Sequence, residues 1–195
     1  MHNLLFLTTA LAGTVAASSS SLTSNIKRAA PTKMQATVTG YEVCLTQGMA
    51  CGLTGSPGRD PTAAMSLWLI PEYAKGTCGS CWKVSNIRKL NYTNDGKPPT
   101  VGDKADSPRG EGMVVMINNS CTPGADQLEP GAVGQCAQKD ANSLDKLGSN
   151  TVLDLCSETD AVEMFFGSEK PGMSVADIEE VDCSEWSGTI TQVHH

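Results

Sequence analysis

The chain has 195 residues, enough for one domain or two small ones. It carries 14 Lys and Arg against 21 Asp and Glu, a formal charge of −7, and loss of the acid-free residues 1–28 would leave −9. That surplus excludes a protein held on nucleic acid by a basic face, because phosphate neutralisation supplies most of such affinity. It argues equally against an anionic membrane surface as partner. Apolar residues reach 39% with only 5% aromatics, so a core of Val, Leu, Ile, Met and Ala is expected. Eight Cys, an even number, fit an oxidising compartment.

The amino-terminal end reads as a leader. Residues 4–17 (LLFLTTALAGTVAA) form an apolar run of signal-peptide length, and Val15 and Ala17 fit cleavage after Ala17. Residues 18–28 then read as a propeptide ending at Lys27-Arg28, a kexin-type processing pair of the kind common in fungal secreted proteins. Residues 29–35 are a short tail, residues 36–186 the folded domain and residues 187–195 a carboxy-terminal tail. No later stretch reaches the 18 apolar residues that would suggest a membrane span. Asn91-Tyr92-Thr93 and Asn118-Asn119-Ser120 are N-glycosylation sequons, the first beside a polar turn, the second directly off an apolar strand.

Past residue 35, short apolar runs alternate with Gly, Pro, Asn and Asp, the pattern of a β-rich single domain. Ala36–Tyr41 is predicted as the first strand and Gly48–Pro61 as a Gly-rich loop. Thr62–Ile70 reads as a short helix between Pro61 and Pro71. Ser80–Val84 is a strand, Asn94-Asp95-Gly96 a turn and Lys97–Gly112 a polar surface loop. Gly112–Ile117 (GMVVMI) is the clearest buried strand, followed by a long, mostly loop segment to Asn150. Thr151–Leu155 is a strand. Ser157 is the expected N-cap of a helix that runs to about Phe166 and stops at Gly167. Ser174 and Val175 open the last segment, and Ile178–Cys183 closes the domain.

These motifs fall in a familiar order. Ala50-Cys51-Gly52, Thr62-Ala63-Ala64-Met65-Ser66 and Cys78-Gly79-Ser80-Cys81-Trp82-Lys83-Val84 resemble the first domain of expansins. That domain has an Ala-Cys-Gly loop, a Thr-Ala-Ala-Leu-Ser helix and a Cys-Gly-x-Cys-Tyr strand. Val114–Cys121 resembles the expansin strand ending Thr-Asn-Phe-Cys. Val152-Leu153-Asp154-Leu155 resembles His-Phe-Asp-Leu, and Glu180-Val181-Asp182-Cys183 the terminal Val-x-Cys strand. The resemblance spans roughly residues 36–183. It implies a mainly β fold: a six-stranded double-psi β-barrel with short peripheral helices, stabilised by disulfides. Rare lipoprotein A, family 45 endoglucanases, barwin and loosenin-like fungal secreted proteins share that barrel. Only 12 residues follow Cys183, too few for the second, cellulose-binding sandwich of full expansins.

Spacing alone leaves the cysteine connectivity open. The resemblance implies Cys51–Cys78, Cys81–Cys183 and Cys121–Cys136, which leaves Cys44 with Cys156. With three His and a single Cys-x-x-Cys, no metal and no cofactor are expected.

The same resemblance frames the site. Inverting glycosidases need a protonated carboxyl and a carboxylate on opposite sides of the scissile bond. Asp154 corresponds to the acid of His-Phe-Asp-Leu, with Val152 in place of the His. The family 45 base lies in Tyr-Trp-Asp-Cys on the first strand; the stretch here is Tyr41-Glu42-Val43-Cys44, so Val43 takes its place. Glu42 is a weak candidate base, one residue off, and strand alternation turns it to the opposite face. Asn119 takes a second acid position, and an amide is no general acid or base at neutral pH. The expected ligand-binding residues are therefore Asp154, Asn119, Tyr41 and Trp82, with no complete catalytic pair. For Trp82 a core or half-buried place is favoured over a groove aromatic, Trp68 is read as core and Trp186 as exposed.

The leading expectation is a secreted, non-hydrolytic expansin-like monomer, fungal in type. Its partner would be a cell-wall polysaccharide, or a host extracellular protein met as an effector. Two alternatives are a protease-inhibitor-like barrel presenting Lys97–Gly112 or Thr122–Gln135, and a glycoside hydrolase related to family 45.

Overall fold

A computed structural model describes residues 32–42, 44, 51, 58–66, 77–95, 97–105, 109–121, 136, 144–168 and 172–188. The expected leader and propeptide, Val43, Trp68, Thr122–Gln135 and residues 189–195 of the expected carboxy-terminal tail lie outside these. Among the described residues seven strands are formed: β1 (Lys33–Tyr41), β2 (Thr62–Met65), β3 (Cys81–Asn91), β4 (Thr100–Lys104), β5 (Val114–Ser120), β6 (Thr151–Cys156) and β7 (Ser174–Val181). One helix, α1 (Ala161–Phe166), lies between β6 and β7. Among the described residues no helix is long and apolar enough to cross a membrane.

The sheet order is β4-β3-β5-β2-β6-β1-β7, and β3 also pairs with β7. Six strands therefore close a ring, and β4 hangs on β3 outside it. Two pairs in the ring are parallel, β1 with β6 and β2 with β5; the rest are antiparallel. This is the disulfide-stabilised six-stranded barrel that the sequence motifs imply, with one strand more than expected.

Alternation builds the core. Met34, Ala36 and Val38 of β1, Leu153 and Leu155 of β6, Val115 and Ile117 of β5 and Ile178 of β7 all belong to one buried cluster. The residues between them on β1 (Gln35, Thr37, Thr39 and Tyr41) point outward, as period-two geometry requires. On β6 the outward positions are Val152 and Asp154. Trp82 fills the barrel interior at 1% exposure, its indole N–H donating to Ser80 Oγ at 2.8 Å.

Several sequence expectations give way. Thr62–Met65 is a strand, not the start of a helix: all four residues are buried, between parallel β5 and antiparallel β6. Alanine at two successive positions suits a strand pressed on both faces, and that leaves no period to read. Strand β3 runs on past Val84 to Asn91 and pairs with β4, so Lys97–Gly112 contains a strand rather than being a loop throughout. Helix α1 starts late: its N-cap is Asp160, not Ser157, whose N–H is taken by the Tyr41 carbonyl at 3.0 Å. Its stop is as expected, with Gly167 in the left-handed region at φ 70°.

Four disulfides staple the barrel: Cys44–Cys156, Cys51–Cys78, Cys81–Cys183 and Cys121–Cys136. Cys81–Cys183 closes 102 residues, worth roughly 4–5 kcal/mol on the chain-entropy model. The segment beyond β7 folds back beside it. Trp186 is 5% exposed and donates its indole N–H to the Pro61 carbonyl at 2.7 Å, so it is buried, contrary to its reading as exposed.

Candidate functional site: a half-buried carboxyl on the outer face of the barrel

Register places the site. Thr39 of β1 stands opposite Asp154 of β6, Asp154 opposite Ala64 of β2, and Ala64 opposite Asn119 of β5. These four residues thus form one row across four neighbouring strands. A register shift between Ala63 and Ala64 is essential to it. Ile117 points into the core, so plain alternation would send Asn119 inward as well. The irregularity absorbs Asn118, which is fully buried, and brings Asn119 to the outer face beside Ala64.

Tyr41 lies one step further along. Its ring packs against Ala64, Val152 and the Cys121 and Cys136 pair. Ala64 is the floor of this patch, because a methyl group leaves room between the Asp154 and Asn119 positions. The Cys121–Cys136 link fixes the far wall.

The electrostatics follow from burial. Thr39 Oγ1 donates to Asp154 Oδ1 at 2.7 Å. Burial pushes the Asp154 carboxyl up to about 6, and the Thr39 hydroxyl offsets only part of that rise. Burial likewise pushes the Tyr41 hydroxyl up to about 12, with the Asn119 amide pulling the other way and the Asp154 and Glu158 carboxylates adding to the rise. Tyr41 is therefore a neutral phenol at any ordinary pH. Near neutrality Asp154 exists in both protonation states, able to donate or accept a hydrogen bond.

Glu158 is a neighbour that sequence reading missed. Its Oε2 accepts the Cys44 N–H at 2.8 Å, which ties the turn after β6 to the end of β1. The available signal was local: Cys44–Cys156 brings Glu158, two residues on, back to Tyr41. Glu42 is exposed and lines a separate cleft of about 430 Å³ with Arg59, Ser157, Glu158, Thr159, Asp160, Val162 and Glu163. Asp154 is not among its walls. Arg59, the cation of that cleft, is held by Asp160 at 2.6 Å.

The other expected site residues are dispersed. Trp82, expected among the ligand-binding residues, offers no ring face to a ligand because it fills the core. Asn118 is 0% exposed, so a glycan there is incompatible with this fold. Asn91 is exposed at the end of β3. Among the described residues, Cys44, Cys156 and Glu158 come close enough together to suggest metal ligation. The two sulfurs are joined to each other, however, and a disulfide offers no thiolate.

A closed, disulfide-stapled barrel with Asp154 on its outer face is the architecture the expansin motifs point to. The family described as EXPB1-like domain 1 matches residues 36–188, most of the chain. The chain belongs to this expansin-like family. A search of curated proteins finds no match.

Proposed function

We propose that this is a secreted, fungal-type expansin-like protein that binds a cell-wall polysaccharide without hydrolysing it. The observation that carries the reading is the row Thr39–Asp154–Ala64–Asn119. It offers a single carboxyl, with an amide where related barrels place a further acid. Such a row can donate to and accept from sugar hydroxyls along a strand-wide path. The described tryptophans, Trp82 and Trp186, are both buried, so Tyr41 is the aromatic beside Asp154. Recognition would then rest on hydrogen bonds more than on an aromatic platform. The eight paired cysteines suit an oxidising, extracellular setting.

One observation favours a second reading. A carboxyl raised to about 6 is what a general acid requires, so Asp154 has the protonation behaviour of a glycosidase acid. Hydrolysis would still need a carboxylate across the bond, for which Glu158 and Glu42 are the neighbours to test.

The deciding experiment is retention of the mature protein on cellulose, chitin, xylan and peptidoglycan, with reducing-sugar release measured in the same tubes. We expect retention on at least one polymer without sugar release, weakened about tenfold by Asp154→Asn, the scale of one hydrogen bond to a charged group. Retention on none would overturn binding. Sustained sugar release lost in Asp154→Asn and in Glu158→Gln or Glu42→Gln would establish the hydrolase reading instead.

A further inference from the structure

The ring satisfies both edges of its six strands, which leaves β4 with one. β4 pairs only with β3, and among the described residues its outer edge is open. An open edge is a template for pairing with another chain unless something blocks it. Strand β4 (Thr-Val-Gly-Asp-Lys) carries its charges only at one end, and Val101 and Gly102 in its middle offer no obstacle. Beside it stands Tyr92, 67% exposed.

The first sequon sits at this edge. Asn91 pairs with Thr100 across the hairpin, and its side chain lies over Gly102. A Cβ at position 102 would come within 2.9 Å of both Asn91 Oδ1 and Nδ2. Glycine here leaves the Asn91 amide room to lie across the middle of β4. Any group carried on Nδ2 would start over that strand. Thr93, the hydroxyl residue of the sequon, is exposed and donates to Asp95 in the turn that follows. The second sequon is buried in the barrel wall at Asn118.

We infer that Asn91 carries an N-linked glycan that covers the open edge of β4 and keeps two copies of the chain from pairing there. The inference rests on the secretory route proposed above, which exposes the chain to a lipid-pyrophosphate-linked oligosaccharide. The Asn91 amide nitrogen forms a bond to the anomeric carbon. The bond from that carbon to the pyrophosphate oxygen breaks, the lipid pyrophosphate leaves and the amide proton passes to a base of the transferase.

The test uses the full chain expressed through the secretory pathway of a glycosylating host. Peptide mass analysis should find hexosamine on the Asn91 peptide and none on the Asn118 peptide. Asn91→Gln and Thr93→Ala should each abolish it, the second without touching the residue over Gly102. Folded protein stripped by an endoglycosidase should self-associate as its concentration rises, while the glycosylated form stays monomeric in sedimentation. Val101→Lys should return the stripped protein to monomer. Enzymatic stripping of folded protein keeps the test open if the sequon variants fail to leave the cell. A bare Asn91 in secreted protein, a glycan on Asn118, or stripped protein that stays monomeric would each overturn the inference. Stripped protein still retained on polysaccharide would separate that failure from a failure of the binding reading.

Discussion

Two aspartates on the outer face of the barrel, on the strands that flank β1, are treated in opposite ways. Asp177 of β7 accepts from Arg88 at 2.8 Å and from the Asn86 amide at 2.9 Å, so each of its oxygens has a charged or amide donor. The chain distorts to arrange this: Asn86 adopts φ 50° beside a register shift between Ser85 and Arg88, and Glu111 accepts its N–H at 3.0 Å. Asp154 of β6 is half-buried like Asp177, yet among the described residues a single hydroxyl and no cation meets it. Burial without a counter-charge is destabilising for an ionised carboxylate, so a fold concerned only with stability would place an apolar residue there. Asp177 is a structural tie. Asp154 is left with hydrogen-bonding capacity to spare, which suits contact with a ligand.

Removing each carboxylate should therefore move stability in opposite directions. Asp177→Ala strands the Arg88 guanidinium and the Asn86 amide, both partly shielded from water. The expected loss is about 3 kcal/mol, the upper part of the range for hydrogen bonds to charged groups, because two donors are orphaned. Chemical denaturation at pH 7 measures it, and a loss below about 0.5 kcal/mol would mean that the tie does not hold the bulge.

Asp154→Asn should do the reverse above neutrality. The folded-state value of about 6 lies above the ordinary 3.8, so the folded chain holds a proton that the unfolded chain has released. The corresponding stability is fully present below pH 3.8 and is lost as pH rises through about 6. Asn keeps an acceptor for Thr39 and carries no charge to desolvate. At pH 8 the variant should be more stable than the parent by about 3 kcal/mol, and near pH 4 the two should converge. Thermal unfolding across that range checks the sign; a variant less stable than the parent at pH 8 would show that Asp154 has a partner after all.

The contrast between these regions also sets what the sequence could reveal. The inward faces are readable because apolar residues alternate along β1 and β6 and form a run along β5. Gly167 is readable as a helix stop because only its backbone freedom fits there. The TAAM segment is not, since alanine favours helix in isolation and a strand buried on both sides has no alternation. Strand β4 is missed for the opposite reason: its residues are largely exposed and carry no apolar face. At the site, Asp154, Asn119 and Tyr41 stand out through the motif resemblance. Thr39 shares the outward face of Tyr41, two residues on. Its pairing with Asp154 depends on the parallel register of β1 and β6, and that register is set by contacts more than 100 residues apart in sequence. For Trp82 the motif allows a groove aromatic beside its cysteine, while the pattern of the strand favours the core, where it lies. Its own alternation with the inward Val84 points to the core.

Thr39→Val gives the finest test of the contrast, because it removes the one hydroxyl that meets Asp154 among the described residues. The bond at 2.7 Å favours the charged form, so its loss should move the Asp154 carboxyl still further above its ordinary range. The stability cost should be about 1 kcal/mol at pH 8, where an ionised carboxylate loses its donor. It should shrink near pH 4, where the protonated acid has less need of one. Stability should consequently fall more steeply with rising pH in the variant than in the parent. Carbon-13 titration of the carboxyl signal, assigned by its disappearance in Asp154→Asn, reads the shift directly. A signal that moves downward, or an equal cost at both pH values, would mean that Thr39 serves the packing of β1 on β6 and not the charge of Asp154. An upward shift with a cost confined to high pH would establish that the Thr39 hydroxyl holds the Asp154 carboxyl down against the rise that burial imposes.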